Sequence, residues 1–414
     1  MTHKADVVVV GAGPAGIAAA VVAARTGRST VLLEKERFVG GIPVKGHIAT
    51  LCGLYMNVPG KDAPQMLYDG FPGEFAVHLM RLDRVAGPVK MGRAYVLTCR
   101  PGSFAAASRK LLEEEPALTV HCGSTFIRAD VSAGRIQRIE ADINGRRLEI
   151  EPGAVIDASG RAAVCRAAGT LLISPDESRQ VPALIFPLHH GPPVDLSAVE
   201  AARWHMMIRR AVDRGMLPPE AAFIRFSPTL DRGVFLAKLN LGRRINTDGP
   251  ISEKSIGQRG DEVKKTIVRF FKQNVAGFEK CSAPVETSPV LHRESARGMG
   301  EYVLSLQDVL SGKKFPDAVA KGCWPVERWD ENGDFSTVYV TDGRYYEIPA
   351  GVLRSSGVDN LFLAGKCISA DSGAIASARV IGCCLATGEA AAKLAANRIP
   401  PFPHLPAIAD KGRV

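Results

Sequence analysis

The sequence predicts an α/β protein with a parallel sheet, and three observations near its start carry that prediction. Asp6–Val10 is an aspartate followed by four valines, the continuous apolar run of a strand buried on both faces. GAGPAG follows at once, placing Gly11, Gly13 and Gly16 at GxGxxG spacing. In that spacing the first glycine permits a tight turn, the second lets backbone approach a diphosphate, and the third lets helix and strand pack closely. A second strand, Ser29–Leu33, then ends at Glu34, 23 positions beyond Gly11, where an acidic side chain reaches ribose hydroxyls and argues against a 2′-phosphate. Strand, glycines, helix, strand and acid in this order make a Rossmann-type βαβ unit, and they predict a bound dinucleotide.

The helix between the strands, Ile17–Thr26, is rich in alanine and stops at Gly27. Its N-terminal N–H groups and positive dipole face the phosphates.

At 414 residues the chain is long enough for two or three domains, and its 46% hydrophobic and 23% charged residues are those of an ordinary globular protein. The net charge of +9 raises the question of an acidic partner. Basic residues are nevertheless scattered and aromatic residues are few, so nucleic acid is not expected. Nine cysteines, without a CxxC pair or zinc-ligand spacing, read as reduced thiols, and no metal site is predicted. The first strand begins too early for a signal peptide, and no apolar stretch is long enough to span a membrane. A cytoplasmic location is the expectation. The oligomeric state is left open.

Further along, a helix is predicted over Ser103–Glu115, after Arg100, Pro101 and Gly102. Thr119–Phe126, Ile136–Ile143 and Arg147–Ile150 read as three antiparallel strands, with Asn144-Gly145 as a hairpin turn. Ala154–Gly160 is a further buried strand ending in small polar residues, and it resembles the element that returns the chain to a bound ligand, which makes Asp157, Ser159 and Gly160 candidates to lie beside it. Near the C-terminus, the strand Leu361–Leu363 passes through Gly365 and a polar turn, Ser369–Gly373, into a helix from Ile381 to Ala396. The Asp371 carboxylate has two readings, a ligand for a sugar-like hydroxyl and a turn or helix cap.

LLEKERFVGG, which includes Glu34, Lys35, Gly40 and Gly41, resembles the start of FAD-dependent oxidoreductases of the glutathione-reductase fold. NLFLAG at Asn360–Gly365 looks like their closing FAD motif. The chain is similar in particular to a group carrying, in order, HRESAR (His292–Arg297), GEYVL (Gly300–Leu304), DVL (Asp308–Leu310), FPDAVA (Phe315–Ala320) and AGKCISAD (Ala364–Asp371). It departs from that group at Lys366, where arginine is usual, and at Ser372, Gly373 and Ala374, where His, Glu and Ala are more frequent.

The resemblance implies FAD as cofactor and a glutathione-reductase-like, three-layer β/β/α domain with a β-meander. It places residues 1–170 and 336–414 in that domain, with an inserted α+β substrate or cap domain at 171–335. It implies cofactor contacts from Gly11, Gly13, Pro14, Ala15, Gly16, Glu34, Lys35, Gly40, Gly41, Arg100, Ser159, Gly160, Gly365, Asp371 and Ala374.

Flavin carries the electron chemistry, while protein groups orient substrate and move protons. His292 suits proton transfer near neutral pH, and Arg293 and Arg297 present forks that fit an oxyanion. The competing reading is a structural histidine with arginines paired to Glu294 or Glu301. His47 stands where disulfide reductases of this fold have the first cysteine of a CxxxxC pair, so Cys52 is alone and a dithiol mechanism is excluded. Cys52 reads as a small buried hydrophobe. A second GxGxxG unit is missing, so no nicotinamide domain is expected, and the electron partner is left open among oxygen, a quinone, a protein and a transiently bound nicotinamide. The expected activity is an FAD-dependent dehydrogenase or reductase passing hydride between a small organic substrate and flavin N5. The alternatives are an FAD monooxygenase and a non-catalytic FAD-binding partner protein.

Overall fold

The computed structural model describes residues 2–48, 50–57, 63–84, 86–176, 180–191, 198–241, 253–284, 289–330, 335–341 and 344–399. It is a mixed α/β protein. Strand β1 (Thr2–Val10) leads into helix α1 (Pro14–Arg25) and then into strand β2 (Thr30–Glu34), which pairs parallel to β1. The strand therefore starts earlier than its valines alone suggest. Val7, Val8 and Val9 are fully buried. Alternate β1 residues divide between two cores, Val7 and Val9 toward α1 and the C-terminal helix, Val8 and Val10 toward the meander. This is why the run is apolar without alternation.

Two sequence-based assignments are corrected. The segment Thr119–Phe126 is not one antiparallel strand. Leu118–Cys122 pairs parallel to β2, the chain turns at Gly123 with φ of +69°, and Ser124–Ser132 then pairs antiparallel with Arg135–Ile143. Secondly, Arg147–Ile150 and Ala154–Gly160 are not separate. A single return strand, Arg146–Asp157, runs parallel to β1 from Glu149 to Asp157.

Pro152, which lacks an N–H, is tolerated because the opposite edge of the return strand changes partner there. Its first half pairs with Arg135–Ile143 up to Ile150, and its last residues pair with the closing strand Leu361–Leu363 from Val155 onward. Asn360 pins this fork, with its side chain accepting from Ile136 N–H at 2.8 Å and donating to the Ile136 carbonyl at 3.0 Å.

The C-terminal turn contains a short helix the sequence reading missed, Ser372–Ala378, before the closing helix Ile381–Arg398. The closing helix lies against α1, and a Cβ on Gly388 would overlap the Ala15 carbonyl. Among the described residues no single helix is long and apolar enough to cross a membrane. The two C-terminal helices pass such a test only together, and they meet at a 97° bend.

A second core lies over Leu184–Cys281, on the three-stranded antiparallel sheet formed by Ala183–Leu188, Phe235–Asn240 and Ile224–Pro228. Trp204 sits at its centre, edge-on to Phe226, Phe235, Phe271 and Phe278 at 5.1–5.6 Å. The Gly191-Pro192-Pro193 sequence, which by composition marks a joint, lies outside the described residues at Pro192 and Pro193.

The α1 contact gives a direct test. Gly388→Val is expected to destabilise the protein by roughly 1–3 kcal/mol through overpacking, read as a lowered midpoint in urea unfolding. An unchanged midpoint would show that the two helices do not touch there.

Candidate dinucleotide and substrate site

The turn after β1 draws four separate segments together. Gly11 has φ of +101°, and a Cβ there would lie 2.6 Å from the Ala158 carbonyl oxygen at the end of the return strand. Its N–H donates to the Leu33 carbonyl of β2 at 2.8 Å. At Gly16 a Cβ would overlap the Gly11 carbonyl, so helix and strand come as close as the spacing predicts. From the next loop, Gly40 N–H donates to the Ala12 carbonyl at 2.9 Å, and a Cβ on Gly41 would lie 2.8 Å from Gly13 Cα. From the C-terminus, a Cβ on Gly365 would meet Ala15 Cβ at 2.8 Å.

Gly13 differs from the others. It is the N-cap of α1, no side chain caps the helix, Pro14 is in its first turn, and a Cβ on Gly13 would meet nothing within 4 Å. The helix start therefore faces open space with its first amides and its dipole, which suits an anionic group. Glu34 lies beside it, buried, accepting from Ala12 N–H at 2.6 Å and from Glu36 N–H at 2.8 Å. These features fit a dinucleotide with a ribose at Glu34.

Around this turn, Lys35 is exposed, and its ammonium is held below its ordinary pKa by partial burial and then by Arg161. Arg161 follows Gly160, so the 159–161 turn stands by the end of β2. The Ser159 hydroxyl donates to Asp157 at 2.6 Å and accepts from Ala163 N–H at 3.0 Å, while Gly160 N–H points at Cys367 Sγ, 3.1 Å away. Asp157 is fully buried and also accepts from the Val164 and Cys165 amides. It ties this turn internally.

Asp371 follows its capping reading in its hydrogen bonds. One carboxylate oxygen accepts from Ala374 N–H at 2.6 Å and the other from Leu306 N–H at 2.8 Å. Arg100 is the N-cap residue of the helix Pro101–Glu113, and its guanidinium donates to Asp83 and Asp231, each at 2.8 Å. It links the helix Pro101–Glu113 to the loop between two strands of the second sheet.

The HRESAR segment carries its side chains in several directions. His292 is half-buried, and its carbonyl accepts from Lys366 Nζ at 2.8 Å. Arg293 is buried, donating to the Val181 carbonyl and, at 2.6 Å, to Asn240 Oδ1 of the second sheet. Arg297 is also buried, donating to the Ala370 carbonyl at 2.8 Å and lying 3.9 Å from Glu294. Arg297 thus follows the structural pairing, whereas Arg293 has neutral partners. His47 has φ of +50°, next to Gly46, whose Cβ would meet Leu291 at 3.2 Å. The two histidine-bearing segments are therefore neighbours. Burial, and then His189, hold His47 below its ordinary pKa, which favours the neutral imidazole.

Three side chains that no motif pointed to complete this region: Lys238, Arg379 and Gln180. Lys238 sits in the alternating strand Phe235–Asn240, whose Phe235, Ala237 and Leu239 enter the second core. A lysine on the opposite face of such a strand reads from sequence as solvated, and only tertiary packing brings it inward.

All nine cysteines are free thiols. Burial, and then Glu327, push the Cys52 thiol up to about 12, so it is protonated and non-nucleophilic near neutral pH.

Fold and site together fit a nucleotide-binding protein of the α/β class. The chain belongs to the family described as FAD dependent oxidoreductase, which matches residues 6–400, and it is an FAD-dependent enzyme. It is 36% identical over 64 residues to a thioredoxin reductase of Ureaplasma parvum, covering 16% of this chain and 20% of that protein. Over 92 residues it is 61% identical to a urocanate reductase of Eggerthella lenta, covering 22% of this chain and 14% of that protein. The chain thus spans no more than a fifth of the length of these relatives. Among solved structures it is similar to the p-nitrophenol 4-monooxygenase of Pseudomonas putida, with a TM-score of 0.47, 13% identity, and coverage of 96% and 80% of the two chains.

The thiol environment makes a prediction. In native holoenzyme at pH 8, a disulfide reagent is expected to label Cys52 at least tenfold more slowly than in the denatured chain, followed by thiol titration and peptide mapping. Rapid native labelling of Cys52 would contradict its protonated state.

Proposed function

We propose that this enzyme transfers hydride between a small organic substrate and flavin N5, within glutathione-reductase-type architecture. In this reading residues 1–170 and 336–414 hold FAD, and 171–335 supply the substrate domain. The observation that carries it is the open front of Gly13 at an α-helix start, with buried Glu34 on one side and the Gly365 turn packed on Ala15 on the other.

Gly11, Gly13, Pro14, Ala15 and Gly16 would lie along the diphosphate, where main-chain N–H groups and the helix dipole favour negative charge. Glu34 would accept from the adenosine ribose, with Lys35 at the rim. Gly40, Gly41, Ser159, Gly160, Gly365 and Ala374 would offer backbone without bulky side chains. Asp371 would act by holding the start of Ser372–Ala378 in place, and Arg100 by fixing the adjoining helix to the second sheet. Bound FAD supplies two-electron chemistry.

His292, on the segment joined to Lys366, is the proposed proton-handling group, and neutral His47 lines the same side. Arg293 is the proposed anchor for substrate, while Arg297 positions the HRESAR segment through the Ala370 carbonyl. Both curated relatives are named as reductases, which agrees with hydride chemistry.

Two outcomes test this reading. Gly13→Val should fold, since its side chain enters open space, yet emerge without the yellow flavin spectrum. Full flavin occupancy would remove the diphosphate from Gly13. Separately, His292→Ala should retain FAD while slowing flavin bleaching by substrate about 100-fold or more in an anaerobic stopped-flow screen. Unchanged bleaching would exclude His292 from proton transfer.

A further inference from the structure

Trp329 is the centre of an unusual charge arrangement at the junction of the second sheet and the C-terminal segment. The Lys238 ammonium lies 5.0 Å from its ring centroid, the Arg293 guanidinium 5.2 Å and that of Arg225 6.0 Å. Arg225 and Lys238 stand directly opposite each other on adjacent antiparallel strands, a like-charge register that opposes sheet formation. Arg379 approaches from the C-terminal segment, donating to Gln180 Oε1 at 3.4 Å, and the same oxygen accepts from Trp329 N–H at 3.3 Å.

Among the described residues, the carboxylates that act on Lys238, Arg293 and Arg379 are Glu327 and Glu294. The charges of Lys238, Arg293 and Arg379 all act against one shared carboxylate, Glu327, on the strand that carries Trp329. Glu294 also acts on Arg379; its Oε1 accepts from Gln180 N–H at 3.4 Å, and its Oε2, 3.9 Å from Arg297, has no hydrogen-bond donor among the described residues. The hydrogen-bond partners of Arg293 are neutral. Desolvation, and then Arg293, draw Lys238 down to about 7, which is the response of an ammonium short of negative charge. Unmatched cations in a dry site destabilise a fold.

Polar atoms without partners converge on the same place. Gln180 is 4% exposed, and its Nε2 has no hydrogen-bond acceptor among the described residues although its Oε1 bonds Arg379. Arg379 Nε is buried in the same condition. Buried donors of this kind are satisfied in functional proteins by a ligand or ordered water. Lys366, drawn down to about 8 by burial and then by Arg379, sets the cluster beside the Gly365 turn.

We infer that Lys238, Arg293, Arg379 and Gln180 around Trp329 form the anchor for an oxyanionic group of the substrate, a carboxylate or a phosphate. This deepens the hydride-transfer reading and rests on it for the word substrate, because the cluster adjoins the segment assigned there to FAD. Cationic forks and the Gln180 amide would donate to the oxyanion, and the added negative charge would offset the cationic charge that Glu327 and Glu294 do not match.

The test uses purified holoenzyme, titrated in parallel with sodium succinate, inorganic phosphate and sodium chloride at matched ionic strength. Thermal midpoint and tryptophan fluorescence are followed, with the flavin absorbance recorded throughout. Succinate or phosphate is expected to raise the midpoint and change the fluorescence while chloride does neither, and whichever oxyanion acts identifies the class.

Lys238→Met should weaken that binding at least about thirtyfold, the ordinary effect of truncating a buried charge partner. In the absence of anion its midpoint should equal or exceed that of the unsubstituted enzyme, because an uncompensated cation has been removed; a merely structural lysine would lower it. Arg379→Met serves the same comparison if Lys238→Met does not fold. No anion effect, an equal effect of chloride, or unweakened binding in a folded variant overturns the inference. Loss of flavin absorbance from the unsubstituted enzyme would instead count against the FAD reading, so the two failures are distinct.

Discussion

The close approach of the Gly11–Gly16 turn to three other stretches of backbone sets the geometry of this protein. Ala158, Gly41 and Gly365 each come near a point where a single Cβ would force them apart. Two of these contacts are with backbone and the third is with Ala15 Cβ, so small groups hold the turn closely, and a side chain on Gly13 would enter open space. The flanking acid is held by main-chain N–H groups of Ala12 and Glu36. Charge, dipole and open volume are thus prearranged, which lowers the ordering cost of taking up a large anionic cofactor.

A second organising influence is electrostatic, at the other side of the C-terminal segment. The second sheet divides its residues by the pleat, with Phe235, Ala237 and Leu239 in an aromatic core and Lys238 and Asn240 directed toward Arg293 and Trp329. The same alternation that stabilises the sheet therefore delivers cations to the junction. Hydrophobic packing around Trp204 holds a charge arrangement that would not persist alone.

Much of this was legible because certain residue types leave few alternatives. Four consecutive valines, three glycines at fixed spacing and Glu34 led to the parallel βαβ unit, and the family match agrees with FAD as its cofactor. The errors arose where local cues were genuine but overruled. Pro152-Gly153 looks like a break, yet the return strand continues because its neighbour changes at that point. Thr119–Phe126 looks like one strand, yet Gly123 reverses it from a parallel to an antiparallel partner. Asp371 had two readings, and its amide partners agree with the capping one. Lys238, Gln180 and Arg379 were invisible because they come from distant segments, and no spacing in the chain connects them.

The shared edge of the return strand has a consequence for biosynthesis. Val155–Asp157 pairs with Leu361–Leu363, a partner that leaves the ribosome some two hundred residues later. Until then the emerging polypeptide carries an unprotected parallel edge, the kind of surface that invites mispairing with other chains. The same late arrival seats Gly365 against Ala15, so the nucleotide cradle closes only once a segment some 350 residues beyond Gly11 has been made.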